Sequence, residues 1–266
     1  MSLPSAEPDP RYHLEAAART IQLLRAVGQD SPVTIAALSA KLGWTKPMVY
    51  RLVRTLHSCG ALKVGDDGYS LGPMMISLGY AALQSVRLVE AARPLLNRIH
   101  QQTTESVVLT VLDGTDIVYV DFLETDHLLV FRARLGTRLP ASHTSSGHAL
   151  LSSHTPEELS VLYAGYEFEP PTVHAVSSLD ILERRLATVR RKGYALVDQE
   201  VTPGHRSAAG PILDHTGRVV AAVSISVPAA RVSLSRLRRM AESVLLPAVA
   251  ELNAELGYLP EQEGSR

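Results

Sequence analysis

Early in the chain apolar positions recur every three or four places, in three separate runs. Leu14, Ala17, Ala18, Ile21 and Leu24 share one helical face and Gly28 closes the run, which predicts an amphipathic helix over residues 13 to 27. Ile35, Leu38 and Leu42 align on a shorter second helix that Thr34 caps and Gly43 ends. The third run covers Lys46 to Cys59, with Thr45 as cap, Pro47 in the first turn where its missing N–H costs nothing, and Gly60 as the stop. Two short helices joined around a glycine form a helix-turn-helix, and the first helix completes a three-helix core. Beyond Gly60 the period falls to two: ALKV and YSL flank GDDG, whose residues suit the tight turn of a hairpin wing. Residues 74 to 86, MMISLGYAALQSV, are apolar over most of their surface and predict a helix that packs between domains or between subunits.

From Leu88 a different unit begins. A helix over 88 to 101 leads into SVVLTVLDG, DIVYVDFLE and HLLVFRA, three β-rich runs that should pair antiparallel. GHALLSS, PEELSVLYAG and the segment from Ser178 to Gly193 read as helices; YALVDQE, RSAAGPILD and VVAAVSISVP read as strands, the last two joined by the DHTG turn. A closing helix spans 235 to 256. Helices and strands in separate runs place the chain in the α+β class, a winged helix-turn-helix followed by an antiparallel sheet flanked by helices. The boundaries expected are a disordered arm at 1–11, a DNA-binding domain at 12–71, a linker helix at 72–87, a second domain at 88–258 and a tail at 259–266.

Charge sharpens this picture only locally. The chain holds 26 Lys plus Arg against 27 Asp plus Glu, yet residues 12 to 65 carry seven bases and two acids. If Val49, Leu52, Val53 and Leu56 cover the core, then Thr45, Lys46, Pro47, Met48, Tyr50, Arg51 and Arg54 lie on or near the outer face of the third helix. Such a face releases phosphate counterions and can reach base edges in a major groove, with Lys63 of the wing on the flanking backbone. A single cysteine, Cys59, excludes an internal disulfide framework and fits a reducing cytoplasm. The Pro-rich N-terminus has no apolar core for a signal or anchor, and no uncharged run is long enough to span a membrane.

RTIQLLRAVG, TIAALSAKLGWTKPMVYRLVRTL and YSLGPMMISLG resemble the winged-helix domain and linker helix of the IclR-type bacterial transcriptional regulators. PASHTSSGHALLS, KGYALVDQE and AAGPILDHTGRVVAAVSISVP resemble that family's effector-binding domain. Pro47 and Met48 stand where the family usually has Ser or Thr, so the operator sequence does not carry over. The resemblance implies a GAF-like sensor of a small organic acid, often a carboxylate of carbon or aromatic catabolism. It also implies a pocket lined at positions matching Ser145, Ser146, Ser207, Ser224 and Ser226, with an acidic contribution near Asp198, for which Val197 is the neighbouring alternative. A homodimer or dimer of dimers on a palindromic double-stranded operator follows from the same likeness and from two-fold geometry.

The residues carry part of this alone. Ser145 and Ser146 precede Gly147 at a helix start, where free N–H groups favour an anion, and Ser224 and Ser226 alternate onto one strand face. Paired serines before a helix are equally ordinary N-caps, and alternating serines an ordinary solvated face. Val108, Leu129 and Phe131 are candidates for the pocket's apolar side. The enzymatic competitor is a serine hydrolase built from Ser145 or Ser146, His143 or His205, and Asp198, but HTSSGH lacks the G-x-S-x-G elbow. Neither HExxH nor a cysteine partner accompanies the histidines, so no metal, no cofactor and no enzymatic activity are expected.

Overall fold

In the computed structural model, which describes residues 13–84, 88–125 and 134–258 and only the backbone of 79–84, the first apolar runs become α1 (Glu15–Asp30), α2 (Ile35–Leu42) and α3 (Lys46–Ser58). Thr34 starts α2 by accepting the Ala37 N–H at 3.2 Å. Gly43 ends it at φ 67°, a left-handed conformation that costs glycine nothing. Leu23, Val27, Leu38, Val49, Val53 and Leu56 close a small core between the three helices. β1 (Leu62–Gly65) and β2 (Gly68–Leu71) pair antiparallel around Asp66-Asp67, and two 2.9 Å bonds between Val33 and Tyr69 fasten this wing to the α1–α2 loop. In α4 (Pro73–Gln84) Ile76 and Leu78 remain exposed, 75% and 54%. The chain divides into two compact units between residues 85 and 86.

The second unit is ordered α5 (Leu88–Thr103), β3 (Ser106–Asp113), β4 (Asp116–Leu123), β5 (Arg138–Pro140), α6 (Ser145–Leu151), α7 (Pro156–Leu162), α8 (Leu179–Lys192), β6 (Ala195–Asp198), β7 (His205–Leu213), β8 (Val219–Pro228), α9 (Leu234–Met240) and α10 (Leu246–Glu255). Among the described residues its six strands run β5-β4-β3-β8-β7-β6, each neighbouring pair antiparallel. Alternation along the strands sorts the two faces. Val107, Leu109, Val223 and Ile225 pack with α5, α9 and α10, while Ile117, Ala209 and Ala222 pack with α6, α7 and α8. Among the described residues no helix is long and apolar enough to cross a membrane.

Three expectations need adjustment. HLLVFRA, with Leu129 and Phe131, lies outside the described residues, as do the N-terminal arm and the tail. The helix expected at GHALLSS starts earlier, at Ser145, because Thr144 takes the cap and accepts the Gly147 N–H at 3.0 Å. Ser145 and Ser146 therefore sit inside the first turn. The closing helix runs unbroken from Leu234 to Glu255 but carries one wide turn at Ala241–Leu245 between α9 and α10, where the Leu246 N–H reaches back to the Ala241 carbonyl just before Pro247, which has no N–H to give.

Candidate functional site

On α3 the helical period separates two jobs. Val49 and Val53 are fully buried, whereas Thr45, Lys46, Pro47, Tyr50, Arg51 and Arg54 are exposed, as is Lys63 on β1. Among the described residues Lys46, Arg51, Arg54 and Lys63 have no carboxylate partner, in contrast to Lys41, which pairs with Asp30 at 2.7 Å. The Arg54 guanidinium lies 6.0 Å from the Tyr50 ring centroid, which holds both side chains on one outward patch.

Thr45 occupies the cap position of α3 without a side-chain capping bond, unlike the expectation: Pro47 brings no N–H, and the Met48 N–H goes to the Thr45 carbonyl at 3.0 Å. Met48 is only half-exposed, its sulfur accepting an Arg19 N–H at 3.3 Å. Arg19 also pairs with Glu15 at 2.6 Å and lies 5.9 Å from the Trp44 ring, so Met48 belongs to the α1–α3 contact as much as to the outer face. The local charge count missed the wing tip, where Asp66 and Asp67 are exposed beside Lys63.

In the second unit Ser145, Ser146, Ser207, Ser224 and Ser226 line one cavity of about 220 Å³. The sheet register brings them together: Ser226 is directly opposite both Ser207 on β7 and Ser106 on β3, and Ser224 is opposite Val108. From above, α6 delivers Ser145, whose Oγ donates to Ser207 Oγ at 2.8 Å. Gly147 allows that approach, since a Cβ there would stand 2.1 Å from the Ala141 oxygen. Val108, Ile117 and Leu139 form the apolar wall; Ser106, Tyr119, Thr137 and His205 add polar edges that the sequence reading did not place there. Ser106 had a visible signal, because it alternates with Val108 in β3. Burial pushes His205 down to about 4, so near neutral pH its imidazole is uncharged, and it raises the Tyr119 phenol. Among the described residues no Lys or Arg lines this cavity.

Asp198 is the expectation the structure corrects. It faces Arg206 across the β6–β7 ladder and accepts its Nε–H at 2.6 Å, on the side of β6 opposite to Ser207. Val197, which is opposite Ser207 and fully buried, shares the serine face but does not reach the cavity lining. The hydrolase constellation is not assembled: Ser145 is bonded to Ser207, and Asp198 is spent on Arg206.

A winged helix-turn-helix with uncompensated cations, followed by an antiparallel-sheet unit with a ligand-sized cavity, defines a transcriptional regulator architecture. Comparison with known proteins agrees. Residues 16–65 match the IclR helix-turn-helix domain and residues 80–250 the bacterial transcriptional regulator IclR C-terminal domain. The chain is 31% identical over 238 residues to the HTH-type transcriptional regulator KdgR of Escherichia coli (strain K12), covering 89% of this chain and 90% of that protein. It is 33% identical over 225 residues to the Pca regulon regulatory protein of Pseudomonas putida, covering 84% and 77%. The crystal structure of the Thermotoga maritima IclR superposes with a TM-score of 0.71 at 26% identity, covering 92% of this chain and all of that one. The chain belongs to the IclR family of bacterial transcriptional regulators.

Proposed function

We propose that this regulator binds a double-stranded operator through α3 and the wing, and that a small organic acid held in the serine cavity changes its operator affinity. The observation that carries the reading is the convergence of five serines, from α6, β7 and β8, on one cavity with an apolar wall. Hydroxyls and the first-turn N–H groups of α6 are donors a carboxylate can use without a buried counter-charge, and Val108, Ile117 and Leu139 take the carbon skeleton, aliphatic or aromatic. Residues 12–71 act as the DNA reader, 72–87 as the linker helix and 88–258 as the sensor.

On α3, Thr45, Lys46, Pro47, Tyr50, Arg51 and Arg54 form the groove-facing surface, with Met48 at its edge and Lys63 on the flanking phosphates. A cytoplasmic homodimer or dimer of dimers on a palindromic operator fits the exposed apolar residues of α4, Ile76 and Leu78. The effector favours one arrangement of paired reading helices over another, and a coupling of ~1–3 kcal/mol suffices to alter occupancy. The test is a titration of the full chain against the intergenic DNA beside its own gene at several salt concentrations. Affinity should fall steeply as salt rises and exceed that for random DNA; equal affinity for both sequences contradicts the reading.

A further inference from the structure

A second groove, of about 530 Å³, runs along the free edge of β6 and shares no lining residue with the serine cavity. α8 contributes Arg185 and Lys192, α9 contributes Arg238, and Asp198 and Glu200 stand at the strand's end. Glu200 is 2% exposed, yet its Oε2 has no donor among the described residues. Its Oε1 meets Arg185 Nη2 only at 3.5 Å, at the limit of a hydrogen bond. Folded proteins leave few buried oxygens unserved, and each costs desolvation energy. Burial pushes this carboxyl up to about 7, with Arg185 opposing and Asp198 reinforcing the shift. The two buried or paired neighbours do not supply the missing donor: Asp198 is an acceptor already paired with Arg206, and buried His148, pushed down to about 4, uses Nε2 at Ser142.

We infer that this groove binds a small zwitterion of the α-amino-acid class, with its ammonium on Glu200 and its carboxylate among Arg185, Lys192 and Arg238. The mixture of charges selects that class. A simple anion would leave Glu200 unserved and set a second negative charge beside it, and a simple cation would meet three exposed bases. A molecule carrying both charges serves both walls. This site is independent of the serine cavity, so a chain that senses an acid there has a second input at the β6 edge.

The test is isothermal calorimetry of the full-length protein with each of the common L-amino acids, then with the deaminated acid and the decarboxylated amine of any that binds. One or more amino acids should bind saturably, both analogues at least tenfold more weakly. At pH 7 binding should release protons from Glu200, read as a dependence of heat on buffer ionisation enthalpy. Glu200→Gln, and separately Lys192→Met at an exposed position where folding is not at stake, should each weaken binding at least tenfold. Ser207→Ala with Ser226→Ala should leave it unchanged. No binding by any amino acid, equal binding by the deaminated acid, indifference to both groove variants, or loss in the serine variant would each overturn the assignment.

Discussion

Among the described residues, the groups offered on α3 are charged, exposed and without a carboxylate partner, whereas those in the cavity of the second unit are neutral, largely buried and partly bonded to one another, as Ser145 is to Ser207. The difference follows from what each surface must exclude. A duplex brings its own dense negative charge, so cations left in water gain by releasing counterions and cost the fold little. A small acid bound in the proposed pocket would have to leave water for a partly enclosed space, where an unpaired Lys or Arg would destabilise the empty protein and hydroxyls that can bond each other would not. Folding should therefore be insensitive to the α3 surface, whereas the cavity is built from the folded core.

The sharpest way to break this contrast is at Gly147, where any Cβ collides with the Ala141 backbone. Gly147→Ala should cost about 3 kcal/mol or more in denaturant unfolding of the second unit, with effector response lost; a variant of native stability would show that α6 does not rest on Ala141 as described. Acid should separate the units next. His148 and His205 sit near 4 when folded, below the ordinary 6.5, so as pH falls from about 6.5 to 4 the unfolded chain binds protons the folded one refuses, and stability is lost. Glu200 works the other way, its folded value of about 7 exceeding the ordinary 4.5, which adds stability as pH falls from about 7 to 4.5. Two histidines against one glutamate leave a net loss on the order of 3 kcal/mol, to which His143, also lowered by burial, adds; Glu200→Gln should steepen it, and a stability flat over that range contradicts the burial of the imidazoles.

Smaller effects should be cleanly separable. Arg51→Ala should weaken operator binding by ~1–3 kcal/mol and leave unfolding unchanged, and an unaltered gel-shift affinity would remove Arg51 from the reading face. Ser207→Ala with Ser226→Ala should lower effector affinity by ~1–3 kcal/mol, about one hydrogen bond per hydroxyl, while DNA binding stays intact. Loss of both functions together would make the serines structural.

Legibility in the sequence follows the same divide. The first unit was readable because each local rule agreed: a 3.6 period, Thr34 and Gly43 at the ends of α2, and GDDG at the wing turn. Thr45 failed as a capping side chain because Pro47 withholds one N–H and the helix spends the next on a carbonyl. In the second unit alternation placed Ser224 and Ser226 on one face and the family likeness named Ser207, but only the register across β3, β8 and β7 shows how Ser207 meets Ser226 and that Ser106 joins them. Asp198 went astray because one residue along a strand reverses the face, and no local signal says which of Val197 and Asp198 looks inward. His205 and Tyr119 reach the cavity through tertiary contact alone.

In the proposed function one chain reads DNA on α3 and is answered from the serine cavity. Fluorescence anisotropy on labelled intergenic DNA, with a panel of aliphatic and aromatic carboxylates, compares the wild type with the Ser207→Ala, Ser226→Ala variant. At the acid concentration that just saturates the wild type, one acid should shift the wild-type midpoint by about fivefold or more and the variant's, which without acid equals that of the free wild type, by much less, the variant needing several-fold more acid for the same shift. A variant that responds as the wild type does, or a wild type that responds to no acid while binding its operator tightly, would contradict it.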